Sequence, residues 1–186
     1  MTLHVPLPGW LATRRWPQRL GANQCSVVAV HFAPEHFEYD AFTRYNVGSI
    51  THTGGWAAAA VLPASACRGL GIDLEVPVDE ALLATLDSEI WDTHEARILR
   101  ACPGLPMTVL GTLLFSAKES FYKALSAAAG RVFDFSAARL RSIDLSAGRM
   151  VLQTTETLAA GWPAGTRCTV DFTLLPEGLV MTAFAW

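Results

Sequence analysis

The chain has 186 residues, of which 51% are hydrophobic and only 17% charged, with a formal net charge of -3 at pH 7. That length supports one substantial core or two small halves packed together. The charge balance excludes the basic field expected of a nucleic-acid binder, and no run approaches the roughly 20 apolar residues needed to span a bilayer.

The N-terminal stretch is broken by Pro6, Pro8 and Gly9. It is not the basic start and uninterrupted apolar run of a signal peptide. Cys25, Cys67, Cys102 and Cys168 are scattered without a CxxC pair, so they read as reduced, buried thiols rather than zinc ligands. The expected compartment is the cytoplasm, and the expected state is a monomer.

In chain order, 24–32 (QCSVVAVHF) is rich in β-formers and predicts a strand. The apolar run 56–62 (WAAAAVL) predicts a second strand, buried and closely packed, and 69–75 (GLGIDLE) a third. Helical spacing follows over about 79–86 and 92–101, the latter stopped by two prolines and a glycine in 102–106. The longest helix is predicted over 108–128. There Leu110, Leu113, Leu114, Ala117, Phe121, Ala124 and Leu125 form one apolar stripe, and Gly130 serves as C-cap. Beyond it the period becomes two, with strands at 139–145, 150–156, 167–174 and 179–186 separated by turn residues. The layout is α+β, with a mainly antiparallel C-terminal sheet.

Three constellations carry chemistry. In Gly71-Ile72-Asp73-Leu74-Glu75, strand geometry puts Asp73 and Glu75 on one face and Ile72 and Leu74 on the other. Two adjacent carboxylates repel, and a hard divalent cation such as magnesium resolves that conflict; an exposed strand face carrying two solvated acids has the same pattern. In 115–125 (FSAKESFYKAL), Glu119 and Lys123 are four apart and share a helix face, with Ser116 on the same side. Glu119 suits a third metal ligand or a general base and Lys123 a phosphate partner, although a plain surface Glu–Lys pair has this spacing too. In 48–56 (GSITHTGGW), glycines bracket hydroxyls and His52 just before a strand. Such a loop can offer donors to an anion or can simply be a turn.

Taken together and in this order, the three segments resemble the phosphopantetheinyl transferases of the surfactin-synthetase-activating type, particularly the enterobactin synthase component D branch. The family's patterns are G-S-[IL]-[ST]-H-[TSC], G-[IV]-D-[IVL]-E and [FW]-[SC]-x-K-E-[SA]-x-[YF]-K. Here they stand as GSITHT (48–53), GIDLE (71–75) and FSAKESFYK (115–123). The resemblance implies a pseudo-twofold fold of two similar α/β halves, divided here as 1–67 and 68–186, with coenzyme A between them. It assigns Asp73, Glu75 and Glu119 to magnesium, with manganese as an alternative. It gives Thr51 and His52 to the pyrophosphate or 3'-phosphate, Lys123 to the phosphates, and Lys118 to positive potential nearby; Glu119 and Lys123 are the catalytic pair. The implied reaction moves 4'-phosphopantetheine from coenzyme A to a serine of an apo carrier protein, serving siderophore, nonribosomal peptide or polyketide synthesis. An apolar patch including Phe121 or residues near Trp91 is the expected carrier contact.

The family's GSITHT-like segment normally follows a longer stretch with an arginine-rich helix, whereas 47 residues precede Gly48 here and that helix is not recognisable. The N-terminal half is therefore expected to be short, leaving Arg14, Arg15, Arg19 and Arg44 as candidates for the 3'-phosphate. A non-catalytic carrier-binding or scaffold protein is the alternative that such a shortening suggests.

Overall fold

The computed structural model describes residues 26–30, 46–53, 56–175 and 178–186. Arg14, Arg15, Arg19, Arg44 and Cys25 lie outside the described residues. Two antiparallel sheets organise the rest. The first has strand order β1-β3-β2, built from β1 (Ser26–Val30), β2 (Asn46–Thr53) and β3 (Trp56–Pro63). The second runs β4-β8-β7-β6-β5, from β4 (Leu70–Glu75), β5 (Ala138–Asp144), β6 (Arg149–Thr154), β7 (Arg167–Leu174) and β8 (Val180–Ala185).

The alanines of β3 explain how the sheets stack. Ala58 and Ala60 are buried against Leu70, Ile72, Leu74, Met181 and Ala183 of the larger sheet. Small side chains let the two layers approach closely, and the packed face is continuous across β4 and β8. Ile72 and Leu74 thus fill an apolar layer, as the alternation along β4 predicts.

Three helices join the larger sheet: α1 (Glu80–Glu89), α2 (Thr93–Arg100) and α3 (Met107–Ala129). Asp79 caps α1 by accepting from the Leu82 N–H, and Asp92 with Glu95 forms a capping box on α2. Helix α3 begins at Pro106 and ends at Gly130, whose φ of 63° is the left-handed conformation that glycine adopts without penalty. All seven residues of its predicted stripe are buried. They pack on Leu140, Leu152, Val170 and Phe184, with Phe121 meeting Phe133, Trp162 and Phe184 in edge or tilted contacts. Each fully buried leucine of this kind contributes about 1.5–3 kcal/mol.

Three expectations are corrected. Gly48 to Thr53 form part of strand β2 rather than a loop, in register with β3 up to Thr53 opposite Trp56. The physical cause is a period of two: Ser49, Thr51 and Thr53 turn to one side, and β-branched residues favour the extended chain. Phe121 is 1% exposed and so cannot form a docking patch, and Trp91 itself, at 6%, is core. Among the thiols, Cys67 is buried, but Cys102 and Cys168 are only partly so; all three are free.

Candidate functional site

Two glycines bring the functional residues together. A Cβ on Gly71 would stand 1.8 Å from the Ser120 carbonyl oxygen, and one on Gly69 would stand 2.1 Å from the Ala124 oxygen. Only glycine lets the backbone of α3 lie directly on β4. Residues 69, 71, 73 and 75 share that strand face, so Asp73 and Glu75 continue it beneath the helix that carries Glu119 and Lys123. Ser116 and Ser120 do not join them: both hydroxyls are buried on Thr182 of β8, at 2.8 and 2.7 Å.

Lys123 Nζ donates to Asp73 Oδ1 at 2.7 Å and to the Ile72 carbonyl at 3.2 Å. Thr51 Oγ1 donates to the same Asp73 Oδ1 at 3.0 Å, and Thr53 Oγ1 donates to Glu75 Oε2 at 3.0 Å. Asp73 is 3% exposed, and its second oxygen, Oδ2, is buried with no hydrogen-bond partner among the described residues. Such an orphan is costly and asks for a donor or a cation.

The electrostatics point the same way. Burial, then the Asp73 charge, push the Glu75 carboxyl above the ordinary glutamate range; the Thr53 hydrogen bond and Lys123 oppose this, and Glu119 adds to it. Glu119 is raised by burial and then by Asp73, against Lys123. Among the described residues, Lys123 is the cation set against these three carboxylates, and it does not offset the rise at Glu75 or Glu119. Among the described residues, no three His, Cys, Asp or Glu side chains close into a ready-made metal cage. That is compatible with magnesium, which takes one or two carboxylates and completes its octahedron with waters and substrate oxygens. The all-oxygen donor set, the orphaned Oδ2 and the two raised carboxyls fit such a hard cation.

The other predicted residues divide. His52 is exposed, on the opposite side of β2 from Thr51. Thr51 turns inward and is 4% exposed; its hydroxyl accepts from the Leu74 N–H at 3.1 Å while donating to Asp73. The residue expected to contact a phosphate is thus already engaged within the protein. Lys118, expected to lend positive potential nearby, is likewise engaged within the protein. It is buried against Glu95 at 2.9 Å, each side chain 2% exposed, and donates to the Ile90 and Phe135 carbonyls at 2.7 and 3.1 Å. Its three N–H groups are thereby spent within the protein. Burial lowers its pKa from the ordinary lysine value, although Glu95 opposes the shift.

Sequence reading missed Thr53 and Glu95. The Ser49, Thr51, Thr53 alternation was a usable signal for the first. For Glu95 the signal was its place three residues after Asp92, the spacing of a capping box. Beside Glu119 lies a cavity of about 150 Å³, lined by Lys118, Phe121, Tyr122, Phe133, Asp134, Phe135 and Ala138.

The site is thus a strand bearing paired acids, crossed at backbone contact by a helix bearing Lys-Glu and a second lysine, on an α+β scaffold. The family model for the 4'-phosphopantetheinyl transferase superfamily matches residues 69–167, more than half of the chain, and the chain belongs to that superfamily. It is 35% identical over 144 residues to the 4'-phosphopantetheinyl transferase Svp of Streptomyces mobaraensis, covering 75% of this chain and 56% of that protein. It is 38% identical over 79 residues to enterobactin synthase component D of Salmonella typhi, covering 42% of this chain and 32% of the relative. Component D of Salmonella typhimurium is 39% identical over the same length. The chain thus spans between a third and just over half of the curated relatives it matches. No helix among the described residues is long and apolar enough to cross a membrane.

Proposed function

We propose that this chain is a 4'-phosphopantetheinyl transferase that moves the phosphopantetheine arm of coenzyme A onto a serine of an apo carrier protein and releases 3',5'-ADP. The observation that carries the reading is the buried Asp73 with one oxygen held by Lys123 and Thr51 and the other orphaned, facing the Glu119 helix. Magnesium or manganese would draw its protein ligands from Asp73, Glu75 and Glu119, and supplies charge neutralisation at phosphoryl oxygens when bound.

Lys123 uses two of its three N–H groups on Asp73 and Ile72, leaving one for a phosphate of coenzyme A. His52, exposed on β2, supplies a further donor to the nucleotide phosphates. Glu119 takes the proton of the carrier serine. The serine oxygen then bonds to the phosphorus nearest pantetheine, and the bond from that phosphorus to the bridging oxygen breaks. The electron pair leaves with 3',5'-ADP.

Val76, which follows Glu75, and Leu82 on α1 are exposed at 47% and 49%, and Val132 beside the Phe133 wall of the cavity at 81%. Exposed apolar side chains such as these, rather than the buried Phe121, are available for a carrier contact. Division of the chain into halves at residues 67 and 68, a cytoplasmic location and a monomeric state belong to the same reading. So does service to siderophore or nonribosomal peptide synthesis, which the relatives named enterobactin synthase component D support.

The test is incubation with coenzyme A, magnesium and a panel of apo carrier proteins, following carrier mass. The expected result is a gain of one phosphopantetheine, abolished by EDTA and by Glu119→Ala. Absence of any gain, with no coenzyme A binding by calorimetry, would overturn the reading. Carrier binding without transfer would favour a non-catalytic scaffold.

A further inference from the structure

We propose that Thr53, together with Thr51, is a positioning residue that decides which oxygen each carboxylate presents to a metal. The inference rests on the transferase reading above and adds to it a role for strand β2. One edge of β4 pairs with β8. Its other edge is met by hydroxyls of β2: Ser49 Oγ accepts from the Ile72 N–H at 2.9 Å and Thr51 Oγ1 from the Leu74 N–H at 3.1 Å. A backbone N–H can only donate, so the single proton of Thr51 is free to go elsewhere, and it goes to Asp73 Oδ1.

The result is asymmetric. Asp73 Oδ1 receives Thr51 and Lys123, while Oδ2 receives nothing. Thr53 repeats the arrangement two residues on, loading Glu75 Oε2. Each carboxylate is clamped through one oxygen, and the second is held in a fixed direction, as outer hydrogen-bonding partners do for metal ligands. The constant stagger of the two carboxylate contacts (51 to 73, 53 to 75) ties both clamps to one strand. Thr51 is then a carboxylate clamp rather than a phosphate contact.

The test compares Thr53→Val, Thr53→Ser, Thr51→Val and Thr51→Ser in the full chain. Manganese binding is read by electron paramagnetic resonance without substrate, coenzyme A binding by calorimetry in EDTA, and folding by thermal melting. The valine variants are expected to weaken manganese binding by about tenfold or more, with serine restoring it and coenzyme A binding in EDTA unchanged. Thr53 sits at the partly buried end of the strand and carries the test if Thr51→Val unfolds. Wild-type manganese affinity in Thr53→Val, or equal losses in Thr53→Ser and Thr53→Val, would overturn the proposal, as would a wild-type chain that binds no manganese. Loss of coenzyme A affinity in EDTA by a folded Thr51→Val would return Thr51 to the phosphates. A wild-type chain that modifies no carrier, while Thr53→Val still loses manganese, would sink the transferase reading and leave the clamp standing.

Discussion

Gly71→Ala tests the structural basis of the site most directly. The added Cβ would lie 1.8 Å from the Ser120 oxygen, 2.8 Å from its carbonyl carbon and 2.9 Å from the Ala124 nitrogen. All three are backbone atoms of α3, so no flexible side chain can swing away. Restoring an ordinary contact of 3.4 Å requires β4 and α3 to separate by about 1.6 Å. A retreat of that size takes the 2.7 Å bond from Lys123 to Asp73 out of hydrogen-bonding range. Overpacking of this kind costs about 1–3 kcal/mol. The rigid contact argues for the upper end, a fall in Tm of roughly 6–12 °C for a chain of this size. A displacement of about 1 Å at a reacting centre can cost about 100-fold in rate. The assay pairs thermal melting with carrier modification, and Gly130→Ala is the control. Gly130 has a φ of +63° but nothing within 4 Å of an added Cβ, so its loss is about 1 kcal/mol of backbone strain with the rate intact. A Gly71→Ala protein with the wild-type Tm and rate would refute the argument, and so would a rate loss matched by Gly130→Ala.

Two further predictions concern the charges. Lys118→Met is expected to destabilise by about 3–5 kcal/mol because Glu95 is left buried and uncompensated; denaturant melts should show Lys118→Met with Glu95→Leu recovering part of the loss, less the Glu95 bonds to the Asp92 and Leu140 N–H groups. Glu119 has a folded-state pKa above the ordinary value of 4.5, so its favourable contribution is complete below that value and is lost as pH rises through the folded pKa. In metal-free buffer Glu119→Gln should therefore melt above wild type near neutrality, with the gap closing toward pH 4, and a gap independent of pH would contradict the assignment.

Much of the site was legible in local spacing. Period two placed Asp73 and Glu75 on one strand face, and a four-residue step placed Glu119 and Lys123 on one helix face, because backbone geometry fixes both regardless of the rest of the chain. The α3 stripe, the Gly130 cap and the antiparallel order of β5 to β8 were readable for the same reason. What local spacing cannot specify is which distant group a polar side chain meets. Lys118 adjoins Glu119 in sequence, yet its ammonium is captured by Glu95, 23 residues earlier. Thr51 looked like a phosphate donor, but its hydroxyl is spent on Asp73 and Leu74, 22 and 23 residues later. Phe121 had the composition of a docking surface and is core, packed on Phe133, Trp162 and Phe184. By itself the sequence determined the elements and the faces on which the acids and lysines stand. Tertiary packing decided their partners, because burial removes water as the alternative and compels each polar group to take whatever donor or acceptor the fold brings within reach.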